Sequence, residues 1–138
     1  MHWDPANYKY QELTEAIIQA FYEVYNELGH GFLESVYEEA IHRVLRGKAV
    51  DVQRQSPLPV WFRGEQIGDF RADLIVANTV IVELKAARAL EPSHEAQLLN
   101  YLRASDLEVG LLLNFGPVPK IKRMVFANEK KKNLRPSA

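Results

Sequence analysis

One stretch of the chain decides the fold, Phe70-Arg-Ala-Asp73-Leu-Ile-Val-Ala-Asn-Thr-Val-Ile-Val-Glu83-Leu-Lys85. Two runs rich in branched apolar residues flank the segment Ala-Asn-Thr, a pattern typical of a β-hairpin. Both runs are almost continuously apolar, so we expect a sheet that is covered on both faces. Acids and a lysine interrupt this apolar pattern, and they make the hairpin the candidate functional site.

The length of the turn decides whether the two acids meet. A three-residue loop, 77–79, pairs Asp73 with Glu83. A two-residue loop would turn Asp73 to the other face, because a one-residue slip reverses every side chain of a strand. We favour the three-residue loop, since Asn78 tolerates the left-handed backbone of a turn. Side chains alternate along a strand, so this register gathers four charged side chains: Arg71, Asp73, Glu83 and Lys85.

Two carboxylates directly opposite each other destabilise a hairpin, and burial adds to the cost unless one is protonated or a cation binds. That cost is the physical reason to expect a bound metal ion. A solvent-exposed strand end, with Glu83 paired to Lys85 or Asp73 to Arg71, is a simpler alternative. A structural ion-pair cluster without metal is another, and it would raise the pKa of at least one carboxyl.

Length and composition favour one domain, 1–138, in which the polar segment 129–138 forms a flexible tail. Hydrophobic residues make up 47% and charged residues 25%, which is ordinary for a soluble globular protein. No apolar run approaches the length of a membrane span, and the first residues do not resemble a signal peptide. Cysteine is absent, so the expected location is the cytoplasm and thiolate chemistry is excluded.

The net charge of -1 does not by itself indicate a nucleic-acid-binding protein. Local basic clusters matter more than the sum, and two are visible: Arg43, Arg46 and Lys48, and then Lys120, Lys122, Arg123 and Lys130 to Lys132. Aromatic residues near the N-terminus could form the interface of a homodimer or serve as core and cap residues: Trp3, Tyr8 and Tyr10.

Hydrophobic periodicity predicts an α/β fold in which helices flank a mixed sheet. The predicted helices are 9–28, 33–46 and 93–104, the last with Ser93 as N-cap. The predicted strands are 49–55, 58–63, 66–76, 80–86, 110–115 and 121–127. Gly68 inside the third of these indicates a bulge.

Two helices bring further polar residues towards the hairpin. Glu34 borders the buried stripe of the second helix, although an acid at a helix N-terminus is also favoured by the dipole alone. We expect Glu38 and Glu39 to form a solvated face. Gln97 and Tyr101 lie four residues apart on the third helix, so they could hydrogen-bond a carboxylate, lysine or phosphate together. A polar helix edge with Tyr101 packed in the core is the alternative.

The ordered set Glu34, Asp73, Glu83-Leu-Lys85 and Gln97-Leu-Leu-Asn-Tyr101 resembles the PD-(D/E)XK nuclease superfamily. The Gln-X-X-X-Tyr piece looks like that of its RecB-type branch. The segment Gly31-Phe-Leu-Glu34-Ser-Val-Tyr37 is similar to the signature of the small GxxExxY proteins. The resemblance covers about residues 10–127, with Ala72 standing where the superfamily name has proline.

This resemblance implies a restriction-endonuclease-like α-β-β-β-α-β core that carries a metal site. Asp73 and Glu83 would ligate Mg²⁺ or Mn²⁺, and the carbonyl of Leu84 could be a third ligand. Glu34 would bind a second ion, or a water molecule on the first. Lys85 would orient or help to deprotonate the attacking water, or stabilise charge on the phosphate.

The resemblance also assigns Gln97 and Tyr101 to positioning the site or the nucleic-acid backbone. The function it implies is metal-dependent hydrolysis of phosphodiester bonds in DNA, or less commonly RNA. The alternative is a catalytically silent module that binds nucleic acid or protein on the same fold, which the near-neutral charge and short chain favour.

Overall fold

The computed structural model describes residues 10–132. It contains three α-helices: α1 (Gln11–Leu28), α2 (Glu34–Gly47) and α3 (Pro92–Ala104). Five strands form one sheet: β1 (Val52–Phe62), β2 (Glu65–Val76), β3 (Val80–Lys85), β4 (Val109–Phe115) and β5 (Pro119–Val125). A short 3₁₀ helix, Asn128–Lys130, follows the last strand.

The strands lie in the sheet in the order in which they occur in the chain. β3 and β4 are parallel, while every other neighbouring pair is antiparallel. The parallel pair needs a crossover, and α3 supplies it. The predicted α/β fold with a mixed sheet is therefore confirmed, and the loops that follow β3 and β4 lie at the same end of the sheet.

Helices cover both faces of the sheet, which explains the continuous apolar runs. On one face, α1 and α2 bury large side chains such as Phe21, Tyr37 and Leu45. On the other face, α3 packs Leu98 and Leu102 against the sheet. Every residue of β4 is buried, as expected for a central strand between two cores.

The hairpin has the register that places the two acids together. Val76 pairs with Val80 and Ile75 pairs with Ile81, so the loop contains three residues. Asn78 has a φ of 51°, the left-handed conformation predicted for it, and Ala77 shares this conformation with a φ of 52°. The regular ladder of backbone hydrogen bonds between β2 and β3 ends just before Asp73. From there, hydrogen bonds that involve side chains take its place.

β1 is one strand, not the two that the sequence predicts. Pro57 lies inside this strand, at the edge of the sheet, where proline is tolerated because one side of the strand needs no ladder partner. The predicted bulge near Gly68 is confirmed. Gly68 pairs with Val60 and Gln66 with Trp61, which leaves Ile67 as the extra residue.

The prediction that Ser93 is the N-cap of α3 is wrong. The helix begins at Pro92 and its N-cap is Glu91. Proline is favoured at the first helical position because its fixed φ suits the helix and its missing N–H would have no partner there. His94 completes the start of the helix, since its Nδ1 accepts a hydrogen bond from the backbone N–H of Glu91 at 3.0 Å.

The beginning of the predicted flexible tail is bound to the domain. Lys131 Nζ donates to the backbone carbonyls of Ser105 at 2.8 Å and Leu107 at 2.7 Å. Residues 133–138 of that tail, together with Trp3 and Tyr8, lie outside the described residues. Tyr10 precedes α1 and is exposed.

None of the helices between residues 10 and 132 combines the length and the apolarity that crossing a bilayer requires.

Candidate active site

The two acids of the hairpin bind each other's strand. The backbone N–H of Asp73 donates to Oε2 of Glu83 at 2.6 Å. In return, Oδ2 of Asp73 accepts a hydrogen bond from the backbone N–H of Leu84 at 2.9 Å. Glu83 is only 2% exposed, although it is an acid. Beyond the end of the backbone ladder, hydrogen bonds of these two carboxylates thus connect the strands.

These carboxyl groups are hard to ionise together. Burial raises the pKa of Glu83 to about 8, and the charges of Asp73 and Glu34 act in the same direction. Burial also raises the pKa of Asp73, with a further contribution from the charge of Glu38. Lys85 lowers both pKa values, but its effect is smaller than that of burial. The positive charge that the protein itself places near Asp73 and Glu83 is too small to offset the effect of burial on their pKa values.

The lysine is held by the third helix. Lys85 Nζ donates to Oε1 of Gln97 at 2.8 Å. Tyr101 lies one turn further along α3, packs its ring against Phe70 at 5.2 Å and is 8% exposed. Burial, followed by the charges of Glu83 and Asp73, raises the pKa of Tyr101, whereas its hydrogen bond with Gln97 lowers it. The structure therefore brings Lys85, Gln97 and Tyr101 together next to the acids.

Glu34 lies at the start of α2 and is exposed. Its charge acts on Glu83, which places the two carboxylates within electrostatic range of each other. Tyr37 fixes the loop before this helix, because its hydroxyl donates to the carbonyl of Gly29 at 2.6 Å and accepts from the N–H of Phe32 at 3.2 Å. Gly31 in that loop has a φ of 113°, which side chains rarely allow.

Glu38 belongs to the site, and the expectation that it forms a solvated face is wrong. It is 8% exposed, and its Oε2 accepts hydrogen bonds from Nε of Arg54 at 3.0 Å and Nη2 at 2.9 Å. The charge of Arg54 offsets the cost of burying this acid. Arg54 lies outside α2, so the sequence of the helix does not reveal the pair. Glu39 is half-exposed and pairs with Arg43 and Arg54. The sequence did contain one signal for this position of Glu38. It lies one helical turn after Glu34, so the two acids share a side of α2.

Gln55 joins Glu38 to Asp73, and sequence reasoning missed it. Its Nε2 donates to Oε1 of Glu38 at 2.5 Å and lies 3.4 Å from Oδ1 of Asp73. The backbone of Gln55 is left-handed, with a φ of 49°, and its carbonyl accepts from Nη1 of Arg71 at 2.7 Å. This irregularity interrupts the β1–β2 ladder between Arg54 and Ser56. Such strain outside glycine often marks a functional site.

The residues present suit a hard divalent cation. Within residues 10–132, no three His, Cys, Asp or Glu side chains gather closely enough to hold one ion between them. Mg²⁺ does not require such a cage, since one or two carboxylates and several waters suffice. Asp73 and Glu83 supply two carboxylates. Burial, and then the charge of Asp73, raises the pKa of Glu83, and a bound cation would offset both effects.

Paired acids and a lysine on adjacent strands, in a mixed sheet flanked by helices, define a restriction-endonuclease-like fold. The chain belongs to the PD-(D/E)XK nuclease superfamily, whose family model matches residues 11–124. Nucleases of this superfamily generally use divalent metals.

Among solved structures, the chain is similar to the crystal structure of SSO0001, with a TM-score of 0.54 and 18% sequence identity. The similarity covers 89% of this chain and 62% of that protein, so the present chain spans less than two thirds of its length. At this identity the similarity concerns the fold alone. No curated protein matches the chain in sequence.

Proposed function

We propose that this protein is a nuclease that hydrolyses phosphodiester bonds in DNA and depends on Mg²⁺ or Mn²⁺. One observation carries the proposal. Glu83 is buried next to the half-buried Asp73, at a cost to the fold, and both lie near a lysine held by Gln97. A site designed only for stability would gain from replacing one acid with an apolar or neutral residue.

Asp73, Glu83 and the backbone carbonyl of Leu84 would hold the cation, and Glu34 would hold a second ion or a water molecule at the exposed side. When bound, a divalent ion activates water for attack on phosphorus and neutralises charge that develops on the phosphate. The hydrogen bonds from the backbone N–H groups of Asp73 and Leu84 already orient the two carboxylates. Their geometry is therefore set before any ligand arrives.

Lys85 would contribute positive charge next to the scissile phosphate or orient the attacking water. Its Nζ has three protons and donates to Oε1 of Gln97, so the ammonium group can donate further hydrogen bonds. Tyr101 is buried next to this region on the side of α3. Fewer competing waters strengthen each electrostatic contact with the phosphate.

Two measurements test the proposal. Calorimetric titration with Mn²⁺ should show binding to the wild type and its loss in Glu83→Gln. Cleavage of plasmid and oligonucleotide DNA should require Mg²⁺ or Mn²⁺, and Asp73→Ala, Glu83→Gln or Lys85→Ala should abolish it. Glu27→Gln, which changes an exposed acid on α1, is the control and should behave as wild type.

A wild-type protein that binds no divalent ion and cuts no DNA would contradict the proposal. DNA binding that survives Glu83→Gln, without cleavage by the wild type, would instead identify the silent binding module.

The same proposal places the chain with the GxxExxY proteins in the RecB-type branch, on the segments Gly31–Tyr37 and Gln97–Tyr101. A single domain over 1–138, a cytoplasmic location and a homodimer stay predictions from the sequence.

A further inference from the structure

A pocket of about 450 Å³ lies at the end of the sheet where β3 and β4 finish. The β3–α3 loop contributes Arg88 and Leu90, and the β4–β5 loop contributes Val118. Lys120 and Ile121 at the start of β5 close the other side. Its lining combines aliphatic side chains with basic ones.

The pocket adjoins the candidate active site. Lys85, Asn114 and Lys120 are in register across three neighbouring strands. Strands lie 4.7–4.9 Å apart, so the Cα atoms of Lys85 and Lys120 are separated by about 10 Å. At the helical rise of about 3.4 Å per nucleotide, one DNA strand would cover this distance within about three nucleotides. A strand bound at Lys85 can therefore reach the pocket.

The walls of the pocket are fixed in place. The buried amide of Asn114 accepts a hydrogen bond from the N–H of Ala87 at 2.9 Å and donates to its carbonyl at 3.0 Å. A Cβ atom on Gly116 would lie 2.4 Å from the same carbonyl, so only glycine permits this close approach of the two loops. The hydroxyl of Tyr25 reaches the carbonyls of Gly116 at 2.8 Å and Pro117 at 3.0 Å. The pocket is thus preformed.

The charges around the pocket favour an anionic ligand. Its one acid, Glu95, pairs with Lys122 at 3.5 Å. Arg88 and Lys120 form no salt bridge within residues 10–132, and both are exposed. Two cations are therefore free to contact phosphate, above an aliphatic surface formed by Leu90, Val118 and Ile121.

We propose that this pocket binds one unpaired nucleotide of the DNA strand whose neighbouring phosphodiester the active site hydrolyses. The base would lie against Val118 and Leu90, and its phosphate would contact Arg88 and Lys120. Apolar side chains can hold a base only when it has left the duplex stack. The inference rests on the proposed function and specifies its substrate as single-stranded DNA or a frayed end.

Fluorescence anisotropy in EDTA tests the pocket separately from cleavage. The probe is a short fluorescein-labelled oligonucleotide, used single-stranded and as a blunt duplex. The wild type should bind the single strand more tightly. Val118→Asp places a carboxylate in the pocket and should weaken single-strand binding about tenfold. The uncharged Val118→Asn should weaken single-strand binding and leave duplex binding unchanged. Val118 is 58% exposed, so the fold should tolerate both variants.

Ile67→Asp is the matched control, because Ile67 is a 66% exposed apolar residue on the β1–β2 hairpin. It should bind both probes as the wild type does. Equal affinity of the wild type for single strand and duplex would overturn the inference, as would unchanged single-strand binding in Val118→Asp. Single-strand binding that depends on Val118, in a protein that cuts no DNA with Mn²⁺, would uphold the pocket and overturn the proposed nuclease activity.

Discussion

The backbone N–H of Asp73 donates to Oε2 of Glu83 at 2.6 Å, at the point where the β2–β3 ladder ends. An acid side chain thus takes the place of a backbone acceptor inside the sheet. Burial, then the neighbouring Asp73 carboxylate, raises the pKa of Glu83 to about 8. The hydrogen bond orients the carboxyl group but does not offset its loss of water.

This raised pKa predicts that the metal-free protein loses stability as pH rises. A carboxyl in the unfolded chain titrates near 4.5, so between pH 4.5 and about 8 the folded state binds more protons than the unfolded state. The contribution of protonated Glu83 to the free energy of unfolding is complete below pH 4.5. It is lost as pH rises through about 8. Urea unfolding in EDTA at a series of pH values should show this decline in the free energy of unfolding.

Glu83→Gln should flatten the decline, because a neutral amide does not titrate. At pH 8, added Mn²⁺ should raise the midpoint of unfolding of the wild type and leave that of Glu83→Gln unchanged. Glu27→Gln, on the exposed surface of α1, should retain the wild-type slope. A wild-type protein whose stability is constant over this range would show that Glu83 ionises freely.

Gln97 should matter to activity through Lys85, whose ammonium group it holds at 2.8 Å. We expect Lys85→Ala to abolish detectable cleavage, a loss of at least about 100-fold. Gln97→Ala should lower the cleavage rate by about 10–100-fold, because the lysine remains but loses its orientation. Single-turnover cleavage of labelled DNA in Mn²⁺ measures both effects.

Asn100→Ala provides the control on the same helix, since Asn100 is an exposed amide on α3. Mn²⁺ affinity should be similar in Gln97→Ala and wild type, which separates orientation of Lys85 from damage to the acids. Equal rates for Gln97→Ala and Asn100→Ala would mean that the Gln97 contact has no functional role.

The hairpin could be predicted because the interactions that determine it join residues that are close together in the chain. Apolar runs of fixed length and a turn residue that tolerates positive φ were enough to set the register of Asp73 against Glu83. The spacing of Gln97 and Tyr101 likewise follows from helix geometry alone. These features depend on residues that are near one another in the chain or on the same element.

The surroundings of the acids were not predictable in the same way. Glu38 looks like a surface acid until Arg54, sixteen residues later, is placed next to it. The left-handed backbone of Gln55 leaves no mark in the sequence, because such a conformation is held by its surroundings. Contacts between elements, rather than local pattern, therefore determine the side of the site formed by α2 and β1.

Arg54 should be needed for stability, because it pairs with the buried carboxylate of Glu38 at 2.9 Å. Arg54→Ala would leave that acid without its charged partner. We expect the free energy of unfolding to fall by about 1–3 kcal/mol. Chemical denaturation at neutral pH measures the change, and the double variant Arg54→Ala with Glu38→Gln should recover part of the loss.

Arg43→Ala is the matched control, since Arg43 pairs with Glu39 on the same helix but its side chain is 78% exposed. Exposed pairs of this kind contribute little, so this variant should unfold almost as the wild type does. Similar losses for Arg43→Ala and Arg54→Ala would contradict a specific role for the buried pair.

Gly116 should be intolerant of any side chain, because a Cβ atom there would lie 2.4 Å from the carbonyl of Ala87. That carbonyl belongs to backbone held by Asn114, so it cannot move aside without breaking a hydrogen bond. Gly116→Ala should lower the free energy of unfolding by about 1–3 kcal/mol. Gly47→Ala has open space around its Cβ and ends a helix, so it should have no effect or stabilise by up to about 1 kcal/mol. Comparable unfolding midpoints for the two variants would mean that the β3–α3 and β4–β5 loops are free to separate, and the pocket between them would then lack its fixed walls.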